Sequence, residues 1–433
     1  MSKLLDRARA VERFSKQGQA YAVIQNPKGV FPPEEIVPLA ATQISTDELT
    51  AIVCDMDGTL TTTEGLCLHS LETMVRRWMS PQAARSWNGL DPQKDYPHVI
   101  GNSTTRHVEY LMETYGAELD DHQFCMAFVQ AACWLNRYGQ DLALREEIGR
   151  LAVRGGLELA EFCTEHNNPQ DLAARVRLPG SNSRISWAVM IYYHRYHEIL
   201  RGLENGHKLI PGAQREKLIA PMPAVGLFLA LVKGWVPPAD SQALAPLWLA
   251  ALEQDGQKGD RDLAEKHLVA LALRFEEKPL LTGLVTSSVA YEMDIVLKTV
   301  FKAIQKEVLE WPVSEELKEK LHTAFSDYRQ VLDVQVNASV TSEGRLKPHR
   351  DLYSMALQRL GIPADGFDRV LGFEDSESGT IAMRAAGIGM AMAVPFQDTA
   401  NHDLSAAAKV LPGGLAQAVL QEGLFLREPE EKA

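Results

Sequence analysis

Apolar residues fall into two patterns along this chain. Short unbroken runs at 49–54 (LTAIVC), 280–285 (LLTGLV), 369–373 (RVLGF) and 388–394 (IGMAMAV) are bounded by turn residues. Runs of that length and content predict buried strands. Elsewhere apolar positions recur every three to four residues. From Val289 they return at Met293, Val296, Val300, Ile304 and Val308, which predicts a helix. Asp351–Leu360 reads as a second helix, ended by Gly361 and Pro363, and Gly379–Ala386 as a short Ala-rich third. Strands alternating with helices predict an α/β fold with a parallel sheet covered by helices. The first two strands are separated by about 225 residues, far more than a crossover needs. Within 66–205 the pattern is mostly helical, with helices expected at 106–115, 121–138, 141–164 and 184–201. The division that follows is an N-terminal extension over 1–48 packed on the core, a discontinuous core of 49–64 and 280–433, and a helical insertion over 65–279.

Composition narrows the classes. Lys+Arg number 44 against 57 Asp+Glu, for a net charge of −13. That balance argues against a non-specific nucleic-acid binder, though a local site can still attract an anion. The most apolar stretch, Ala224–Val236, is interrupted by Lys233 and falls short of the roughly 20 residues that span a bilayer, so no membrane role is expected. The N-terminal segment MSKLLDRARAVERFSKQ lacks an apolar signal core and reads as a surface helix. The 5 cysteines are odd in number and contain no CxxC, which suits reduced thiols in a cytoplasmic protein.

Candidate chemistry collects where strands end. Asp55-Met56-Asp57-Gly58-Thr59 follows the first run. Two carboxylates two residues apart repel unless they share a cation or one keeps a proton, and a hard cation suits oxygen ligands. Alone the segment also reads as an Asp-Gly turn. Thr286-Ser287-Ser288 follows the second run and precedes a helix, an arrangement that serves an anion site or simple capping by Ser288. Lys347-Pro348 precedes the helix from Asp351 and can neutralise an anion. Glu374-Asp375-Ser376 follows the third run and is a second acid pair, or a solvated acidic loop. Ligands of open α/β sheets bind at the carboxyl ends of the strands, which favours reading the four together.

Together these segments resemble the haloacid dehalogenase (HAD) superfamily, and the later part is most similar to its β-phosphoglucomutase-like branch. The likeness is carried by DMDGTLTTTE (55–64), GLVTSS (283–288), LDVQVNASVTSEGRLKP (332–348), LKPHRDLYSMALQRLGI (346–362) and VLGFEDSESGTIAMRAAGIGM (370–390). The resemblance implies a HAD-like, Rossmann-like core with an inserted helical cap. It makes Asp55 the nucleophile and Asp57 the general acid/base. Gly58, Thr286, the amide of Ser287 and Lys347 hold the phosphoryl group, and Lys347 also steadies Asp55. Mg²⁺ is held by Asp55, the backbone carbonyl of Asp57, Glu374 and Asp375. Asp57 points to phosphate-ester chemistry, because dehalogenases, ATPases and phosphonatases of this superfamily lack that acid.

The resemblance also places GNSTTRHVEYLMETYG (101–116) in the cap's substrate-reading region. Gly101, Asn102, Ser103, Arg106 and His107 become specificity candidates, joined by Glu64 and His69 after the nucleophile loop. Ser103 could instead cap a helix. Trp187, Tyr192, Tyr193, Tyr196, His194 and His197 could line a pocket, but their helical spacing reads as core. The expected function is Mg²⁺-dependent removal of phosphate from a small phosphorylated metabolite. The alternatives are a phosphomutase of the β-phosphoglucomutase type and a non-catalytic protein that retains a HAD core.

Overall fold

In the computed structural model the four predicted runs are neighbouring strands of one parallel sheet. The structure describes residues 4–18, 20–26, 30–44, 48–101, 103–158, 168–207, 218–342, 345–396, 399, 402–421 and 424–425, without the side chains of 181–182. The chain divides into two compact units. A sheet unit comprises Met1–Thr62, Ala220–Ala290 and Leu297–Ala433, and a helical unit comprises Thr63–Ile219 and Tyr291–Val296.

The sheet unit begins with helix Arg7–Phe14, none of whose residues is buried, followed by an antiparallel hairpin of β1 (Ala20–Gln25) and β2 (Glu34–Leu39). The main sheet contains β3 (Ala51–Asp55), β4 (Leu281–Val285), β5 (Val334–Val336), β6 (Val370–Glu374), β7 (Met390–Ala393) and β8 (Lys409–Val410). Its order is β5-β4-β3-β6-β7-β8, with every pairing parallel. All residues of β3 and β6 are buried, as expected of central strands covered on both faces. The strand order reverses about β3, since β4 lies on one side of it and β6 on the other. Register places Asp55 beside Val285 and Cys54 beside Phe373, so the residues after β3, β4 and β6 emerge at one edge.

Residues 220–279 correct the sequence division. The chain leaves the sheet unit at Thr62 and returns at Ala220, and the two passes are hydrogen-bonded: the Thr62 amide donates to the Ala220 carbonyl at 3.0 Å, and the Met222 amide to the Leu60 carbonyl at 3.0 Å. The insertion is therefore 63–219 rather than 65–279. The segment after it packs against the sheet. Every residue of helix Val225–Val232 is buried, and the Phe228 ring lies 5.5 Å from Phe373 of β6. The apolar run that contains Lys233 is thus a core helix. Among the described residues no helix is long and apolar enough to cross a membrane.

The N-terminal extension is tied to the core by Arg384. Its Nε and Nη2 both donate to the Ala40 carbonyl, at 3.0 and 2.7 Å, and the Ala40 amide donates to the Arg384 carbonyl at 3.0 Å. The Gln43 amide adds a bond to the Gly389 carbonyl at 3.0 Å.

In the helical unit, helices span Glu64–Trp78, Thr104–Tyr115, Asp121–Tyr138, Leu142–Arg154 and Ser181–Glu204, with shorter ones between. The helix read over 141–164 ends earlier, because Gly155 and Gly156 break it and Gly156 adopts φ +86°. Residues 159–167 lie outside the described residues. Trp187, Tyr192, Tyr196, His194 and His197 are buried, and Trp187 stacks on Phe128 at 3.7 Å between centroids. The aromatic set is core, as its spacing predicts.

Phe228→Ala should cost about 3–5 kcal/mol of stability in urea unfolding, because its cavity would open directly beneath β6. A loss below about 1 kcal/mol would remove helix Val225–Val232 from the core of the sheet unit.

Candidate active site

Sequence-distant residues converge at the carboxyl edge of the sheet. Asp55 ends β3 and Glu374 ends β6, with Asp375 next in the chain. All three are buried, and one carboxylate oxygen from each lies within 4.8 Å of the others. Lys347 reaches them from the loop before helix Asp351–Arg359. Its ammonium bonds Asp55 Oδ1 and lies 2.6 Å from Glu374 Oε1. Burial alone would lower the proton affinity of Lys347, but the carboxylates of Asp55 and Glu374 outweigh it and raise the pKa, so the lysine stays charged. Asp55 is raised well above the ordinary carboxylate range by burial first and Glu374 second, against the opposing pull of Lys347. One ammonium is too little positive charge for this buried group of acids.

Glu374 is held from every side. Oε1 accepts from Lys347 and, at 2.8 Å, from the Tyr353 hydroxyl. Oε2 accepts from the Ser376 hydroxyl at 2.9 Å and from the amides of Asp375 and Ser376 at 3.2 and 3.3 Å. A Cβ on Gly379 would fall 1.8 Å from the Glu374 carboxylate, so the motif's glycine makes room for that side chain. Gly58 plays a matching part. Its φ of +81° turns the chain after Asp57, and a Cβ there would meet Asp375 Oδ2 at 2.5 Å. Thr59 donates to Asp375 Oδ1 at 3.4 Å.

Asp57 projects towards the end of β4. Its Oδ2 accepts from the Thr286 hydroxyl at 3.0 Å and from the Ser288 hydroxyl at 3.1 Å. The Ala290 amide, at the start of the following helix, donates to Ser339 Oγ at 3.0 Å. Ser287 is half-buried in the turn between the two hydroxyls. The structure therefore brings together Asp55, Asp57, Gly58, Thr286, Ser287, Lys347, Glu374 and Asp375. Sequence reasoning passed over Tyr353 and gave Ser376, within the second acid motif, no role of its own; both orient Glu374. The spacing of Tyr353 inside the helix after Lys347 was the available signal.

The donor set suits Mg²⁺: three buried carboxylates offer oxygens within reach of one ion, and they lack positive charge. Asp57 is not part of that carboxylate group; its Oδ2 is turned to Thr286 and Ser288.

The specificity candidates belong to the helical unit. Glu64 is buried at the start of helix Glu64–Trp78. His69, on the same helix, faces Arg195 at 3.3 Å. Ser103 stands at the N-cap of helix Thr104–Tyr115, yet its side chain makes no capping hydrogen bond. Arg106 is half-buried on that helix. Asn102 lies outside the described residues.

No known family's sequence profile matches this chain, and neither does any curated protein. Solved structures do match it. CbbY from Rhodobacter sphaeroides in complex with phosphate is 14% identical, with a TM-score of 0.43 over 87% of this chain and 100% of that one. A HAD family hydrolase from Deinococcus radiodurans with bound phosphate and sodium is 15% identical, with a TM-score of 0.37 over 88% of this chain and 100% of that one. β-Phosphoglucomutase from Clostridium difficile is 11% identical, with a TM-score of 0.37 over 84% of this chain and 90% of that one.

Gly379→Ala should displace Glu374 and loosen the grip on Lys347. Calorimetric Mg²⁺ affinity is expected to fall at least about tenfold. Unchanged affinity would mean that Glu374 can move without disturbing the cation site.

Proposed function

We propose that this chain is a phosphatase of the HAD type, acting on a small phosphorylated metabolite through an aspartyl-phosphate. One observation carries the reading. A buried acid at a strand end touches a lysine, while a second acid two residues on is held by two hydroxyls. Those are the groups that a two-step phosphoryl transfer requires.

In the first step an Asp55 oxygen attacks phosphorus, the bond to the ester oxygen breaks, and Asp57 gives that oxygen a proton. In the second, Asp57 takes a proton from water as the water oxygen attacks phosphorus, the bond to Asp55 breaks, and inorganic phosphate leaves. Lys347 offsets the charge of Asp55 and of the transferring group throughout. Thr286 and Ser288 fix the direction of Asp57, so little reorganisation is needed when the proton moves. Mg²⁺ held by Asp55, Glu374, Asp375 and the Asp57 carbonyl would supply further neutralisation of phosphate charge. A role in the cytoplasm and specificity through Glu64, His69, Asn102, Ser103 and Arg106 belong to the same reading.

A panel of phosphorylated metabolites, scored for both phosphate release and product isomerisation, tests the proposal. Phosphate release without isomerisation is expected; isomerisation would favour the mutase, and silence across the panel the non-catalytic alternative. Asp55→Asn should reduce turnover to background, and retained activity would remove Asp55 as nucleophile. Asp57→Asn should slow turnover about 10²–10⁴-fold and leave phosphoenzyme detectable by mass. Unchanged kinetics in that variant would exclude Asp57 from proton transfer.

A further inference from the structure

Two arginines and two histidines meet inside the helical unit, between helices Glu64–Trp78 and Ser181–Glu204. Arg77 Nη1 lies 3.0 Å from His194 Nδ1, and Arg195 Nη2 lies 3.3 Å from His69 Nε2. A guanidinium can only donate, so each facing imidazole nitrogen is an acceptor without a proton. The surroundings hold the rings in that state. Burial first, then Arg77 and Arg195, push His194 down to about 3. His69 is lowered by burial and then by Arg195, with Glu72 acting against them.

Negative charge is short here. Glu198 Oε2 accepts from Arg195 Nη1 at 2.8 Å. Glu72 pairs with neither arginine; its Oε1 accepts from the Leu90 amide at 2.9 Å. Among the described residues no carboxylate forms an ion pair with Arg77, and Glu198 acts on it only from farther away. Burial lowers the pKa of Arg77; Glu198 acts against that, and Arg195, a smaller influence than Glu198, lowers it again. Arg195 Nε is buried and has no hydrogen-bond partner. Arg195 is paired with Glu198 while Arg77 has no ion pair among the described residues, and neutral imidazoles are their other acceptors, which leaves positive charge under-compensated where both side chains are partly buried.

We propose that Arg77 and Arg195, with His69 and His194, form an oxyanion-binding site in the helical unit that takes a phosphate or carboxylate group. The guanidinium fork matches either group. An arriving oxygen can accept from the orphaned Arg195 Nε, and its charge would neutralise Arg77. The site is separate from the acid cluster of the sheet unit and does not rest on the phosphatase reading.

The test follows the arginine Nε–H resonances of the full chain by NMR, at constant ionic strength. Inorganic phosphate is titrated in one arm and acetate in the other. The Arg77 and Arg195 signals, assigned with Arg77→Lys and Arg195→Lys, are expected to move saturably in at least one arm. The anion that saturates them at lower concentration identifies the group. Arg77→Gln should weaken that binding at least about tenfold, and Arg77→Lys, which keeps the charge and loses the fork, by less. If neither anion moves these two signals, or if both Arg77 variants bind with unchanged affinity, the site does not exist.

Discussion

A single ammonium between two buried carboxylates is the contact on which the candidate site depends. Lys347 bonds both Asp55 and Glu374, and each of the three is buried. Breaking such a pair strands a charge in a medium that cannot solvate it, which costs about 3–5 kcal/mol. Every element that delivers one of the three groups is therefore constrained by the other two. Strands β3 and β6 must be neighbours in register. The loop before helix Asp351–Arg359 must end close enough for the lysine to reach both strands. That helix is anchored in the core by Leu352, Tyr353, Ala356 and Leu357. Tyr353 links the two roles, since its ring is buried in the core while its hydroxyl bonds Glu374. Burial first and Glu374 second hold its phenol well above its ordinary pKa, so it remains a donor.

Adjacent acids in this arrangement divide the work. Glu374 has both oxygens engaged by side chains and amides, and so it positions Lys347. Asp375 carries the Thr59 contact and crowds Gly58, which ties the second acid pair to the loop that exposes the first. Asp57, on that same loop, is turned the other way by Thr286 and Ser288. The loop thus sends one carboxylate to the lysine and the next to the hydroxyls. That separation suits the proposed division between a nucleophile and a proton carrier.

Much of this was legible in the chain. The central strands announced themselves as unbroken apolar runs, because burial on both faces removes alternation. The acids and hydroxyls lay at run ends and the lysine just before a helix, where a parallel sheet gathers its ligands. What the sequence concealed has physical reasons. Helix Val225–Val232 reads equally well as part of a helical insertion or as a helix on the sheet, because an all-apolar segment does not state its partner. Only the hydrogen bonds between Thr62, Ala220, Leu60 and Met222 reveal where the insertion closes. Strand β5 has 3 residues, too few for a pattern. Ser288 sits where a capping residue belongs, and its bond to Asp57 crosses 231 positions of sequence.

The net charge of −13 is also distributed with a purpose that the total hides. In the sheet unit, acids are concentrated beyond what one lysine can balance, and Asp55 is raised in response. Between two helices of the helical unit the sign is reversed: Arg195 pairs with Glu198, Arg77 has no ion pair among the described residues, and His194 is lowered by burial and then by the two arginines. A fold stabilised only by pairing would match charges within each crevice, since unmatched charge in a desolvated place opposes folding. Each imbalance is instead of the kind that a ligand of opposite sign relieves, a cation among the acids and an oxyanion between the arginines. A ligand that relieved either imbalance would stabilise the unit around it, so the proposed occupancy of each site would be linked to the stability of its unit.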